Sequence, residues 1–390
     1  MKPYPLVLLV LLLAALGVAG PCIGQDVTNV RIVNESALPP ERLADALATK
    51  ALLTDFDPKL LRRAAELAPR DPLYWYLSAA THYSYVLGTR GYVPFEKIRP
   101  AYRALLERAL AVDPNYIPAL YAYVLTKATY GQRMEGLQRL ASLDSDNAKP
   151  YYLMAVESYR EASKTCRWNC GTQSYTMSRE KWQSVLDLIR QGNQRSVFRA
   201  DALRLLSTAD VRARAGSKAL SRADLATAIV LVVGNLRSDH GDAPLSFGTS
   251  PLLRQLAHQV HWEAGQAYKQ GRRADALDML SVVKELGAKY AASEPRGVLQ
   301  LAAGSTVWLI AAFKEEDIYE AAGDKAALRS LAAETAKWKA ANKRARELFQ
   351  ESSEYDISLS EWKQRRDREQ AEVAKVLQGL GLSRAPAVLR

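Results

Sequence analysis

The feature that most restricts the fold is a repeated signal that stops one helix and starts the next. Ala64-Ala-Glu-Leu-Ala68 precedes Asp71-Pro-Leu-Tyr-Trp-Tyr-Leu-Ser-Ala79. Leu105-Leu-Glu-Arg-Ala-Leu-Ala-Val112 precedes Asp113-Pro-Asn-Tyr-Ile-Pro-Ala-Leu-Tyr-Ala122. Met134-Glu-Gly-Leu-Gln-Arg-Leu-Ala141 precedes Asp144-Ser-Asp-Asn-Ala-Lys-Pro-Tyr-Tyr-Leu-Met-Ala155. In each, Asp or Asn offers a side-chain oxygen to orphan amides at a helix start. Pro ends the old helix or occupies the first turn of the new one. Aromatic residues then open an apolar face. Asp113 to Asp144 is 31 positions and Asp71 to Asp113 is 42, so the first interval carries an insertion, placed at Gly88-Thr-Arg-Gly-Tyr-Val-Pro94.

Elsewhere apolar residues recur at three and four positions, the helical period, and strand-like alternation is scarce. The main exception, Ala228-Ile-Val-Leu-Val-Val233, reads as a buried helix because Leu225 and Ala226 lead into it without a turn. With 390 residues and 48% hydrophobic content, a large core can form. A single helical hairpin cannot bury its own apolar face. Stacking successive hairpins closes a continuous core. The expected fold is therefore all-α, a stack of antiparallel helix pairs.

On these segments the chain resembles the tetratricopeptide repeat family. The best unit runs from Ile117. Leu120 and Tyr123 stand at first-helix packing positions, Gly131 at the turn, and Gly136 and Leu140 at second-helix contacts. Ala109 and Pro114 match the end of the preceding unit. A later unit spans His261 to Leu277, with Gly265, Tyr268, Gly271 and Ala276 on the pattern and a turn one residue short. Lys127 stands where Tyr is usual, Leu143 and Val283 replace the late Ala, and residues 160–250 match poorly. The resemblance implies a right-handed superhelical α-solenoid whose concave side holds peptides or protein partners.

The first residues read as an export signal. Lys2 precedes an uncharged run from Leu6 to Gly20, about 15 residues, short of the roughly 20 that span a bilayer. Cleavage is expected after Ala19 or Gly24, since Pro21 obstructs a cut after Gly20. The membrane enters only if the signal is retained or Cys22 is lipidated, and Pro21 sits where a lipid-attachment signal carries a small residue. The localisation expected is periplasmic or extracellular. The organisation then reads as a signal peptide at 1–24, a linker at 25–40, repeats at 41–163, a basic divergent helical segment at 164–250, further repeat-like helices at 251–350, and a capping helix with its tail at 351–390. Cys166 and Cys170 could close a small disulfide in an oxidising compartment.

Charge and tyrosine are both unevenly spread. Residues 164–222 hold 12 basic and 4 acidic side chains, whereas residues 25–160 hold 17 and 15. Arg190, Arg195, Arg199, Arg204 and Arg212 belong to the basic stretch. Arg suits forked contacts to carboxylates and phosphates, so an acidic partner or an envelope polyanion fits that surface. A solvated basic helix face is the plainer reading. Thirteen of 19 Tyr fall between Tyr74 and Tyr159. Many should pack, but neighbours diverge on a helix, and some of Tyr74, Tyr76, Tyr83, Tyr121, Tyr123 and Tyr151 should line a partner groove.

No G-x-S-x-G, Walker loop, dinucleotide fingerprint, H-E-x-x-H or nucleic-acid motif occurs. No cofactor and no catalytic or metal-binding residue is expected. The competing reading is an envelope enzyme with a metal or hydrolytic site near His240, His258 and His261. His258 and His261 lie three apart rather than the usual four, and His261 falls on a repeat packing position. The reading expected is a non-catalytic exported scaffold that binds a protein or peptide.

Overall fold

The computed structural model describes residues 39–53, 57–79, 95–126, 129–164, 168–169, 174–175, 179–199, 249–293, 297–351 and 359–382. These form thirteen helices: α1 (Pro40–Leu53), α2 (Pro58–Leu67), α3 (72–79), α4 (Phe95–Val112), α5 (Ile117–Leu125), α6 (Tyr130–Leu143), α7 (Lys149–Lys164), α8 (Arg179–Asn193), α9 (Thr249–Lys269), α10 (Arg273–Ala291), α11 (Val298–Ala321), α12 (Lys325–Glu351) and α13 (Leu359–Gly379). Between α7 and α8 a two-residue ladder pairs β1 (Trp168–Asn169) with β2 (Ser174–Tyr175), antiparallel. The basic stretch is thus not uniformly helical. The signal, Cys166, Cys170 and residues 200–248, with the run at 228–233, lie outside the described residues.

The helix starts and stops follow local chemistry. Asp57 Oδ1 accepts from the Lys59 amide at 2.9 Å ahead of Pro58, and Asp324 Oδ1 accepts from the Ala327 amide at 3.2 Å. α9, α12's predecessor α11, and α13 end alike. Gly271, Gly323 and Gly381 take φ of +78°, +66° and +75°, and the next amide bonds back across the turn to Ala267, Tyr319 and Leu377. Two expectations need correction. Gly131 lies inside α6, whose cap is Thr129, so the turn falls earlier. Asp113 turns the loop by accepting from the Asn115 amide at 2.9 Å, while α5 starts later, at Ile117, with no side-chain cap.

Helices pack in chain order. α1 to α5 share one core around Leu47, Leu61, Tyr74, Leu77 and Leu106. α5 to α7 meet around Leu120, Leu137 and Leu140. α7 to α11 surround Tyr152, Trp182, Phe198, Leu256 and Leu280. α11 to α13 close on Trp308, Trp338 and Val373. From α7 onward four pairs also touch at the next helix but one: α7 meets α9, α8 meets α10, α9 meets α11 and α11 meets α13.

Two joints leave no room for a side chain at a glycine. Gly136 of α6 sits so near α5 that a Cβ would stand 2.3 Å from Val124 Cγ2. Gly287 of α10 and Gly304 of α11 face each other. A Cβ on Gly304 would lie 2.4 Å from the Ala291 nitrogen and 2.5 Å from the Gly287 carbonyl oxygen. Two helices can approach this closely only where neither carries a side chain.

Candidate functional site

Four of the residues singled out in the sequence meet at one place. The turn between α6 and α7 carries Asp144, Asp146 and Asn147. The chain leaving α8 runs back over this turn, and Asn147 and Val197 form a parallel bridge. The Ala148 amide donates to the Val197 carbonyl at 2.8 Å, and the Val197 amide to the Asp146 carbonyl at 3.1 Å. Tyr121 of α5, Tyr151 of α7, and Arg195 and Arg199 beyond α8 gather around this clasp.

Asn147 is its centre and is buried. Its Oδ1 accepts from the Lys149 amide at 3.0 Å, capping α7, and from the Arg199 amide at 2.9 Å. Its Nδ2 donates to Asp144 Oδ2 at 2.7 Å. Arg199 then forks over the acids, reaching Asp144 Oδ1 at 2.6 Å and Asp146 Oδ2 at 2.7 Å. The Arg199 hydrogen bond holds the Asp146 carboxyl below its ordinary value. Tyr121 donates to Asp144 Oδ2 at 3.3 Å, and burial followed by the Asp144 charge raises its phenol.

Two cations lie on aromatic faces here. Lys149 Nζ is 4.2 Å from the Tyr121 ring centre, and the Arg195 guanidinium carbon is 4.4 Å from that of Tyr151. Burial pulls the Lys149 ammonium down to about 7, with Asp144 partly opposing. A lysine in the unfolded chain titrates near ~10.4. Between pH 7 and pH 10 the unfolded chain therefore holds a proton that the folded one lacks, and stability rises with pH across that window. Denaturant midpoints measured from pH 7 to 9.5 should climb in the wild type and lose that climb in Lys149→Met. A flat wild-type profile would contradict the burial effect.

The other candidates lie elsewhere. Tyr74 is 2% exposed, donates to Asp45, and has its phenol raised mainly by burial, so it packs in the core rather than lining an open groove. Tyr76 is partly buried against the same core, edge-on to Tyr116 at 5.9 Å. Tyr123 donates to Glu107 at 2.9 Å beneath Arg103. Arg190 pairs with Asp187 at 2.7 Å and with Asp278 across from α10. Tyr83, Arg204, Arg212 and His240 lie outside the described residues. His261 Nδ1 donates to the Ile310 carbonyl at 3.0 Å, tying α9 to α11, and burial lowers both it and His258. Among the described residues no group of three metal-ligating side chains converges.

Asp144, Asp146, Asn147 and Lys149 are the site residues that sequence reasoning read only as a helix start. Their signal was present: two acids and an amide in four positions exceed what one cap needs, and Arg-rich sequence follows 50 residues later. The clasp satisfies its own polar groups. Its acids are neutralised by Arg199, its amide is saturated, and its aromatic rings carry cations on their faces. The chain matches no protein-family model and no curated protein.

Proposed function

We propose that this protein is a non-catalytic helical-repeat scaffold of the tetratricopeptide kind, exported to the cell envelope, that holds a protein or peptide partner. The observation that carries this reading is the packing order. From α4 to α8 and again from α9 to α13 each helix meets its sequence neighbour, and α7 with α9, α8 with α10, α9 with α11 and α11 with α13 also touch. Such a stack builds a long continuous face from many short units. The export component rests on the leader sequence. The pairing of Arg190, Arg195 and Arg199 with protein groups favours a protein partner over a polyanion, because these cations are already engaged.

The test is purification of the full chain from the envelope fraction after mild cross-linking, with intact mass determined with and without reductant. The scaffold reading expects a mature start near Gln25 and one protein recovered in near-stoichiometric amount. Recovery of no protein above the level of an unrelated exported control would overturn it.

A further inference from the structure

We infer that the cleft between the end of α8 and one face of α10 receives a basic side chain, arginine or lysine, of the partner polypeptide. The inference rests on the scaffold reading and names where the partner is held. The cleft measures about 250 Å³. That is below the roughly 300–1,000 Å³ of sites for whole small molecules, so its scale is that of one long side chain.

Its walls are mostly polar, and Asn193 is the member held on several sides. α10 presents Asp278, Ser281 and Glu285 at helical spacing, one side of the helix over two turns. α8 ends opposite them with Arg190, Asn193 and Gln194. Asn193 cannot turn. Its Oδ1 accepts from the buried Tyr152 hydroxyl at 2.8 Å, and its Nδ2 donates to the Val282 carbonyl at 3.1 Å and to Glu285 Oε2 at 3.0 Å. Tyr152 in turn packs on Gly192, where a Cβ would lie 2.4 Å from its ring. A buried tyrosine therefore sets an asparagine, and the asparagine sets the Glu285 carboxylate.

The charge balance selects the occupant. Arg190 is consumed by Asp187 and Asp278. Lys289, one turn beyond Glu285, is turned to the Arg195 carbonyl. Glu285 makes no ion pair, and Ser281 and Gln194 make no side-chain hydrogen bond among the described residues. The groups left open toward the cleft are thus a carboxylate, a hydroxyl and a side-chain amide, each with an oxygen that can accept. The α8 C-terminus adds partial negative charge. An ammonium or guanidinium, which carries donors only, satisfies all of them.

The test selects random heptapeptides on the full-length protein and, in parallel, on Glu285→Gln. Gln keeps the acceptor for Asn193 and removes the charge, so the variant should melt with the wild type. The wild type should enrich Arg or Lys at one peptide position. The variant should lose that enrichment and bind the best peptide about tenfold more weakly, the worth of ~1.4 kcal/mol. Absence of basic enrichment, or equal enrichment on both proteins, overturns the inference. Binding of arginine amide as tight as that of the peptides also overturns it, because the occupant would then be a free cation. A partner recovered from the envelope equally by wild type and Glu285→Gln removes the cleft and leaves the scaffold standing. Recovery of none by either removes the scaffold itself.

Discussion

Gly304→Ala is expected to lower the melting temperature by roughly 4–8 °C. The added Cβ would stand 2.4 Å from the Ala291 nitrogen, 2.5 Å from the Gly287 oxygen and 2.7 Å from the Ala291 Cα. All three are backbone atoms within α10, so no rotamer change can relieve the contact. α10 and α11 must separate, and with them Val283, Leu286 and Val307 of the shared core. Overpacking of this kind costs about 1–3 kcal/mol and more where backbones collide. The helix-propensity gain of alanine, ~1 kcal/mol, offsets part of it. Taking the cost at the upper end of that range, the net loss is about 2 kcal/mol, which corresponds to that fall at 2–4 °C per kcal/mol. Gly131→Ala provides the opposite sign. Nothing lies within 4 Å of a Cβ there, so its melting temperature should hold or rise. Calorimetry of the two variants side by side decides the matter, and equal melting temperatures would refute the close approach.

Asn147→Ala should be at least as damaging, by about 2–4 kcal/mol, and for a different reason. It strips the acceptor from two backbone amides, those of Lys149 and Arg199, and the donor from Asp144. A buried amide left without its partner costs ~1–3 kcal/mol. The loss should also be localised. Hydrogen exchange at the amides of Ala148, Val197 and Arg199 should quicken well before that at the α10–α11 joint. Unchanged exchange at those three amides would show that the clasp does not depend on Asn147.

What the sequence disclosed was the part of folding governed by short range. Asp71, which accepts from the Leu73 amide, and Gly271 act on bonds within a few residues, and the helix ends expected near Ala68, Val112 and Ala141 fall within two residues of those found. The misreadings came where a local preference had two outlets. Asp113 could cap a helix or turn a loop, and the chain used it to turn. Gly131 has the composition of a turn, but Thr129 already caps α6, so the glycine is carried into the helix. Tyr74 looks amphipathic, yet Asp45, 29 residues away, supplies a partner for its hydroxyl inside the core. The clasp and the cleft join residues separated by 50 to 92 positions. No periodicity reports such pairings. Composition alone could show that arginines follow the acids, not that Arg199 would return to Asp144.

The bridge at Asn147 and Val197 also changes how the chain would carry load. The chain enters α7 beside Asn147 and leaves α8 beside Val197, and the two strands run parallel. Tension drawn from the two ends therefore passes across the bridge and bypasses α7 and α8. Because the strands are parallel and are pulled from opposite ends, the bonds at Ala148 and Val197 and the Arg199 fork are strained together in shear instead of parting one by one. The helix pair between them is mechanically shielded until the whole clasp yields.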